Sequence, residues 1–278
     1  MKKRNKLLTL FFLLAGAIAG GYALVPLKPR ASSRPAEEFR ASGAGLRKIK
    51  IANWNLEVFG DSKASKPELM QSYADVIRQY DIIFIQEIRD KDSSAFYDLC
   101  RLLPGYEFKI SSRAGRSSTK EQYGLLYRKG LQLKDFKDFN PDPQNRWERP
   151  PICVSFNVDT YDFTVYNIHT DPDDVKRELS HLERLASQNP ESNITVLGDL
   201  NADQNYYSNP KETEFDSWRW LIKDSEDTTA TSTNAAYDRI IMSPDAFEEY
   251  SGHGINKSTS RAMSNHYPVW VEISAEEK

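Results

Sequence analysis

The chain has 278 residues, with 37 Lys and Arg against 40 Asp and Glu and a formal charge of −3. That length is ample for a substantial core, and the near balance of charge excludes a surface that is basic all over, so any nucleic-acid surface has to be a local patch. Two cysteines, Cys100 and Cys153, exclude a disulfide framework and a cysteine metal cluster, leaving either a single bond between them or two separate buried thiols.

Residues 1–25 open on MKKRNK and continue with LLTLFFLLAGAIAGGYALV, nineteen residues without a charge. A basic cluster ahead of such a run predicts export, through a signal peptide or an N-terminal membrane anchor. The basic end stays in the cytoplasm and the rest crosses. The expected locations are the non-cytoplasmic face of a membrane or, after cleavage, a secreted or periplasmic state. No cysteine follows the run, so a lipoprotein anchor is excluded. Residues 26–46, rich in Pro, Ser, Ala, Gly and charge, read as a flexible linker. Residues 47–278 read as one globular domain, expected to be a monomer with no obligate protein partner.

Within that domain, short β-rich runs recur in order: KIKIANWNL, DIIFIQEI, YGLLYR, PICVSFNV, YDFTVYNIHT, ITVLGDLN, YDRIIMS and HYPVWVEI. IIFI and ITVL are apolar at successive positions, as strands covered on both faces should be. YGLLYRKGLQLKDF reads as two strands around a turn. Between the runs, Leu69, Tyr73, Val76, Ile77 and Tyr80 fall at helical spacing, as do Val175, Leu179, Leu182 and Leu185. The economical arrangement is two stacked mixed β-sheets with helices outside, a layered α/β sandwich.

Polar side chains gather where these strands end or begin: Asn55 and Glu57, Gln86, Glu87 and Arg89, His169, Asp199 and Asn201, then Asp238 and His266. In α/β architectures such residues converge on a shared crevice. Carboxylate and amide oxygens suit a hard divalent cation, and a pair of imidazoles suits proton transfer and the charge of a phosphodiester transition state. His181 and His253 lie outside these runs and are expected at the surface.

The chain resembles the endonuclease/exonuclease/phosphatase superfamily, and within it the DNase I branch. YDIIFIQEIRD, GRSSTKEQYGLLYR, GDLNADQNY, DTTATSTNAAYDRI and SNHYPV carry the likeness. The resemblance implies a four-layer α/β sandwich and metal-dependent hydrolysis of phosphodiester bonds in DNA with little sequence specificity. Asn55 and Glu87 match the metal-site amide and carboxylate. Glu121 and His169 match one acid–histidine pair, and Asp238 and His266 the other. Asp199 and Asn201 match the pair that contacts metal and scissile phosphate. Arg89, Arg116 and Arg149 match positions on the nucleic-acid backbone, and Tyr237 one beside the phosphate. The implied ion is Mg²⁺, with Ca²⁺ and Mn²⁺ as alternatives. The implied partners are DNA and, if the N-terminal segment is retained, a membrane. A phosphatase or sphingomyelinase-type phosphodiesterase of the same superfamily is the alternative activity.

Four differences from the branch, at five positions, matter. Asn265 stands where an aspartate helps hold the metal, so one ligand loses a full charge and weaker metal affinity is expected; SNHYPV reads as a working site with one altered ligand, and a catalytically impaired, nucleic-acid-binding homologue is the alternative. Glu57 replaces an arginine that enters the minor groove, and Thr119 replaces a tyrosine that stacks on sugar and base, so weaker duplex binding is expected. Gln204 and Ala235 replace a disulfide, leaving the loop after GDLN to packing by Tyr206 and Tyr207.

Overall fold

A computed structural model describes residues 47–116, 118–158, 160–203, 206–207 and 214–275. The expected N-terminal segment (1–25), the linker (26–46) and Gln204 lie outside the described residues. Among those described, no helix is long and apolar enough to cross a membrane. In chain order the elements are β1 (Arg47–Phe59), α1 (Asp61–Ala64), α2 (Pro67–Ile77), β2 (Ile82–Ile88), α3 (Ser94–Arg101), β3 (Tyr106–Ile110), β4 (Gln122–Arg128), β5 (Gln132–Asp138), β6 (Ile152–Val158), β7 (Tyr161–Asn167), α4 (Val175–Ser187), β8 (Ile194–Asp199), β9 (Arg219–Trp220), β10 (Asp238–Met242), α5 (Pro244–Glu248), β11 (Tyr250–Ile255) and β12 (Val269–Ala275).

The strands form two six-stranded sheets, ordered β11-β12-β1-β2-β4-β3 and β5-β6-β7-β8-β10-β9. Each sheet has one parallel pair, β1 with β2 and β7 with β8. A parallel pair needs a crossover, and helices supply both: α1 and α2 in the first sheet, α4 in the second. Both crossovers therefore leave two strand C-termini side by side.

Alternation along the strands builds three apolar layers. In β2, Ile82 and Phe84 face the core between the sheets, while Ile83 and Ile85 face the layer under α2 and α3. In β8, Leu197 faces the inter-sheet core, while Ile194 and Val196 meet Val175, Leu179 and Leu182 of α4. The result is a four-layer α/β sandwich, helices outside and two mixed sheets within, as expected. Extending the same parity past the apolar rows places the site. Ile49 and Ile51 lead to Asn53 and Asn55; Phe163 and Val165 lead to Asn167 and His169; Leu197 leads to Asp199. Working back from Tyr123 and Leu125 gives Glu121, and from Ile240 gives Asp238. One row of each strand is thus apolar through the core and polar at one end.

The two strands expected around a turn in YGLLYRKGLQLKDF are β4 and β5, and the turn carries the chain from one sheet to the other. Two strand bounds differ from expectation. β12 starts at Val269 rather than at His266, because Pro268 lacks the N–H a ladder position needs; His266 makes only an isolated bridge to Thr229. β1 runs beyond Asn55 to Phe59 through a kink at Glu57 and Val58, both at positive φ. Cys100 and Cys153 are both free and pack in the two opposite helix-facing cores.

Candidate active site

Beneath the site, three buried amides close a ring. Asn53 Nδ2 donates to Gln86 Oε1 at 3.2 Å, Gln86 Nε2 to Asn167 Oδ1 at 3.3 Å, and Asn167 Nδ2 to Asn53 Oδ1 at 2.8 Å. Gln86 also donates to Ile168 O and accepts the backbone N–H of Asp199, and Asn167 donates to Leu197 O. The ring joins both sheets, and with every member satisfied it is rigid rather than costly.

Above it, two imidazoles converge on one oxygen. His169 Nε2 and His266 Nε2 each lie 3.5 Å from Asp199 Oδ2. The far nitrogen of each ring is held by an acid: His169 Nδ1 by Glu121 Oε1 at 2.7 Å, and His266 Nδ1 by Asp238 Oδ2 at 2.7 Å. A carboxylate at Nδ1 fixes that nitrogen as the protonated one and leaves Nε2 as the reactive end. Asn55 Nδ2 donates to Asp199 Oδ2 at 3.0 Å and to Glu87 Oε1 at 3.1 Å, bringing β1, β2 and β8 to the same point. Ser264 Oγ donates to Asn55 O and accepts the N–H of His266, while Trp54 Nε1 donates to His266 O. These bonds hold the SNH segment although no strand includes it.

Burial works against charge on both imidazoles, yet the surrounding carboxylates prevail. His266 is pushed up to about 10 by Asp238 and Asp199 against the burial cost. His169 is also raised, with Glu121 and Asp199 outweighing burial and the nearby Arg149. Burial would raise Asp199, but the two imidazoles hold it below the ordinary carboxylate range. Glu121 is likewise lowered despite its burial, by His169, Arg149 and Arg89.

The oxygen donors fit a hard divalent cation. Asn265 Oδ1 is buried without a hydrogen-bond partner, a state that costs free energy unless something electropositive meets it. Glu87 and Asp199 add carboxylates to that amide, a set suited to Mg²⁺, Ca²⁺ or Mn²⁺. Asn55 is placed differently from the expectation. Its Oδ1 accepts the N–H of Glu57 at 2.8 Å, so it turns its NH₂ group toward the carboxylates. Ligand atoms of Glu87, Glu121 and His169 also lie close together, but Glu121 is already engaged by His169, Arg89 and Arg149, which makes it a poor cation ligand.

The remaining expected residues divide. Arg89 and Arg149 reach the site through acids: Arg89 pairs with Glu87 at 2.9 Å and Glu121 at 3.3 Å, and Arg149 with Glu121 at 3.1 Å. Asn201, at positive φ, donates to Thr170 O from just beyond Asp199. Tyr237 precedes Asp238, and its ring meets Tyr206, which is 44% exposed. Tyr207 stacks on Trp220 and bonds Glu214. Arg116 is not brought to the imidazoles; its guanidinium bonds Asn145 and pairs with Glu148. His181 and His253 are away from the site but half-buried rather than exposed, against Trp147 and Tyr250 respectively. Glu57, at the rim, is held by Arg261.

Sequence reasoning misses Glu178, which is fully buried behind His169. Its signal was an acid three residues after Val175 and four before Leu182, inside the apolar stripe of α4. Burial lifts its carboxyl from 4.5 to about 7, against two backbone N–H bonds and Arg149. An acid that binds its proton more tightly when folded stabilises the fold fully below its unfolded pKa. That stabilisation is lost as pH rises through the folded value, here between about 4.5 and 7, a swing of about 3 kcal/mol. The expected result is that the melting temperature of Glu178→Gln, measured by circular dichroism, gains on wild type between pH 5 and pH 8. An unchanged difference refutes it.

Comparison with known proteins sets this geometry in context. A model of the Endonuclease/Exonuclease/phosphatase family matches residues 52–266. Deoxyribonuclease-1 of Bos taurus is 30% identical over 260 residues, covering 81% of this chain and 92% of that protein. Deoxyribonuclease-1 of Homo sapiens is 29% identical over 264 residues, covering 82% and 93%. Among solved structures, an endonuclease/exonuclease/phosphatase family protein from Bacteroides thetaiotaomicron superposes with a TM-score of 0.63 at 18% identity, covering 84% of this chain and 97% of that one.

Proposed function

The chain belongs to the endonuclease/exonuclease/phosphatase family, in its DNase I-like branch, and from that premise we propose that it is an exported, metal-dependent endodeoxyribonuclease. The observation that carries the chemistry is the convergence of two acid-backed imidazoles on Asp199 Oδ2, 3.5 Å from each Nε2. In-line hydrolysis of a phosphodiester needs one group to take a proton from the attacking water and another to give one to the leaving oxygen. His169 and His266 divide those roles, each held in its tautomer by Glu121 or Asp238. Asp199 sits between them and aims both rings at one point. Asn55 and Asn201 fix the positions of Asp199 and of the backbone around it. Glu87, Asp199 and Asn265 would hold the cation, which when bound neutralises the non-bridging oxygens of the phosphate. Export rests on the basic cluster and apolar run of residues 1–25, with residues 26–46 as a tether to the catalytic domain.

The test is cleavage of supercoiled plasmid by the purified full chain with Mg²⁺, Mn²⁺ or Ca²⁺, beside a sphingomyelin substrate and a sugar phosphate. Nicking that chelator abolishes is the expected result. Hydrolysis of either other substrate with plasmid untouched overturns the reading. Asn265 supports a second reading, a homologue that binds nucleic acid but turns it over poorly, and one variant separates the two. A unit charge about 4 Å from a divalent ion is worth several kcal/mol even at an effective dielectric near 20. Asn265→Asp is therefore expected to lower the Mg²⁺ concentration for half-maximal cleavage by about tenfold or more, with wild type active at high Mg²⁺. Wild type inactive at every Mg²⁺ concentration, with activity restored by the aspartate, establishes the second reading instead.

A further inference from the structure

We propose that Glu178 is a positioning residue for this reaction: its ionised carboxylate clamps together the two backbone segments that seat Arg149 and His169. The role as stated rests on the nuclease reading, but the clamp itself is a matter of geometry. Glu178 Oε1 accepts the N–H of Glu148 at 2.5 Å, and Oε2 accepts the N–H of Asp171 at 3.0 Å. The residue after the first donor is Arg149, and two residues before the second is His169.

Those two segments bond directly to each other as well. Arg149 Nε donates to His169 O at 2.9 Å and Nη2 to Thr170 O at 2.6 Å. Tyr123 Oη donates to Arg149 O at 3.1 Å and accepts the N–H of His169 at 3.0 Å. Arg149 also reaches Glu121 Oε1, the oxygen that orients the His169 ring. On the other side, Trp147 Nε1 donates to Glu178 O, tying the first segment to α4 a second time. A shift at Glu178 is therefore transmitted through Arg149 to the main chain of His169 and to the acid behind its ring.

The chemistry of the clamp selects the ionised form. Two N–H donors converge on one side chain, so the side chain needs two acceptors and no donor. Only a carboxylate meets that condition: a protonated acid or a glutamine turns a donor toward one of the two N–H groups. Burial favours the neutral acid, and the group titrates near neutrality as a result. The charged and titratable groups acting on it are Arg149 from the first segment, Asp171 from the second, Tyr123 from β4 and Arg177 from its own helix. Arg149 favours the carboxylate, and Asp171 opposes it.

The experiment uses the full chain, with the Glu178 carboxyl carbon, the amides of Glu148 and Asp171, and the His169 ring nitrogens followed by NMR against pH. All four are expected to move with one midpoint near neutrality. For Glu178→Gln, kcat on plasmid DNA is expected to fall on the order of tenfold, with KM within twofold. The acid limb of the kcat profile is expected to move, and the His169 ring signals to shift at every pH. A folded Gln variant with wild-type kcat profile and wild-type ring signals overturns the proposal. If that variant does not fold, the wild-type titration decides alone: amides and ring signals that ignore the Glu178 midpoint overturn it. Because the NMR link is read without turnover, a chain that cleaves no DNA refutes the nuclease reading and leaves the clamp separately testable.

Discussion

Plasmid cleavage by His266→Asn falls by about 10²–10⁴-fold, and by His169→Asn by a similar factor, the range that loss of a positioned acid or base produces. Asparagine is the informative replacement. It keeps a short polar side chain, so Asp238 or Glu121 is not abandoned as a bare buried charge, but it has no nitrogen that exchanges a proton at neutral pH. The two rings face one oxygen, Asp199 Oδ2, from separate elements of the fold. They act as a unit, and the double variant should lose little more than the worse single one. Initial rates at saturating Mg²⁺ with a circular dichroism control measure this. A single variant that keeps a third of the wild-type rate contradicts the assignment of its histidine.

Gly198→Ala is expected to give a protein that is largely insoluble or melts far below wild type, and it is the largest stability effect expected in the molecule. Gly198 lies in β8 with φ of +155°, and a Cβ there would stand 1.9 Å from Ile168 O and 2.8 Å from Gln86 Nε2. The first atom is backbone of the neighbouring segment and the second belongs to the amide ring, so neither yields cheaply. Overpacking of this kind costs typically 1–3 kcal/mol and more where backbone has to move. Whatever fraction folds should also cleave DNA poorly, because Asp199 is the next residue. Thermal melting and the soluble yield check the first claim. An alanine variant that melts within a few degrees of wild type shows that β7 and β8 can part more easily than their spacing implies.

Much of this was legible in the chain, and the illegible part has a common cause. IIFI and ITVL announce strands buried on both faces, and both proved central. The acids, amides and histidines past the strand ends were visible because apolar rows stop abruptly at Asn55, Glu87, His169 and Asp199. Tertiary choices were not visible. The turn after Arg128 has the same local chemistry whether it closes a hairpin or carries the chain between sheets, and only the packing decides. β3, β11, α3 and the two-residue β9 escaped notice because short or half-exposed segments carry weak periodicity. The motif at Arg116 gave no sign of the bonds its partly exposed guanidinium makes to Asn145 and Glu148. Glu178 falls inside the apolar stripe of α4, but the stripe carries no sign of the two backbone N–H groups, of Glu148 and Asp171, that its carboxylate accepts.

The ring of Asn53, Gln86 and Asn167 has a sense of rotation. Each amide gives in one direction and receives from the other, and the outward bonds to Ile168 O, Leu197 O and the Asp199 N–H allow only that direction. Changing one member breaks two links at once, so mutational drift at these three positions is expected to stall singly and to advance only by simultaneous replacement. Lineages descended from this chain should then inherit the trio whole or lose it whole, however freely the surrounding surface diversifies.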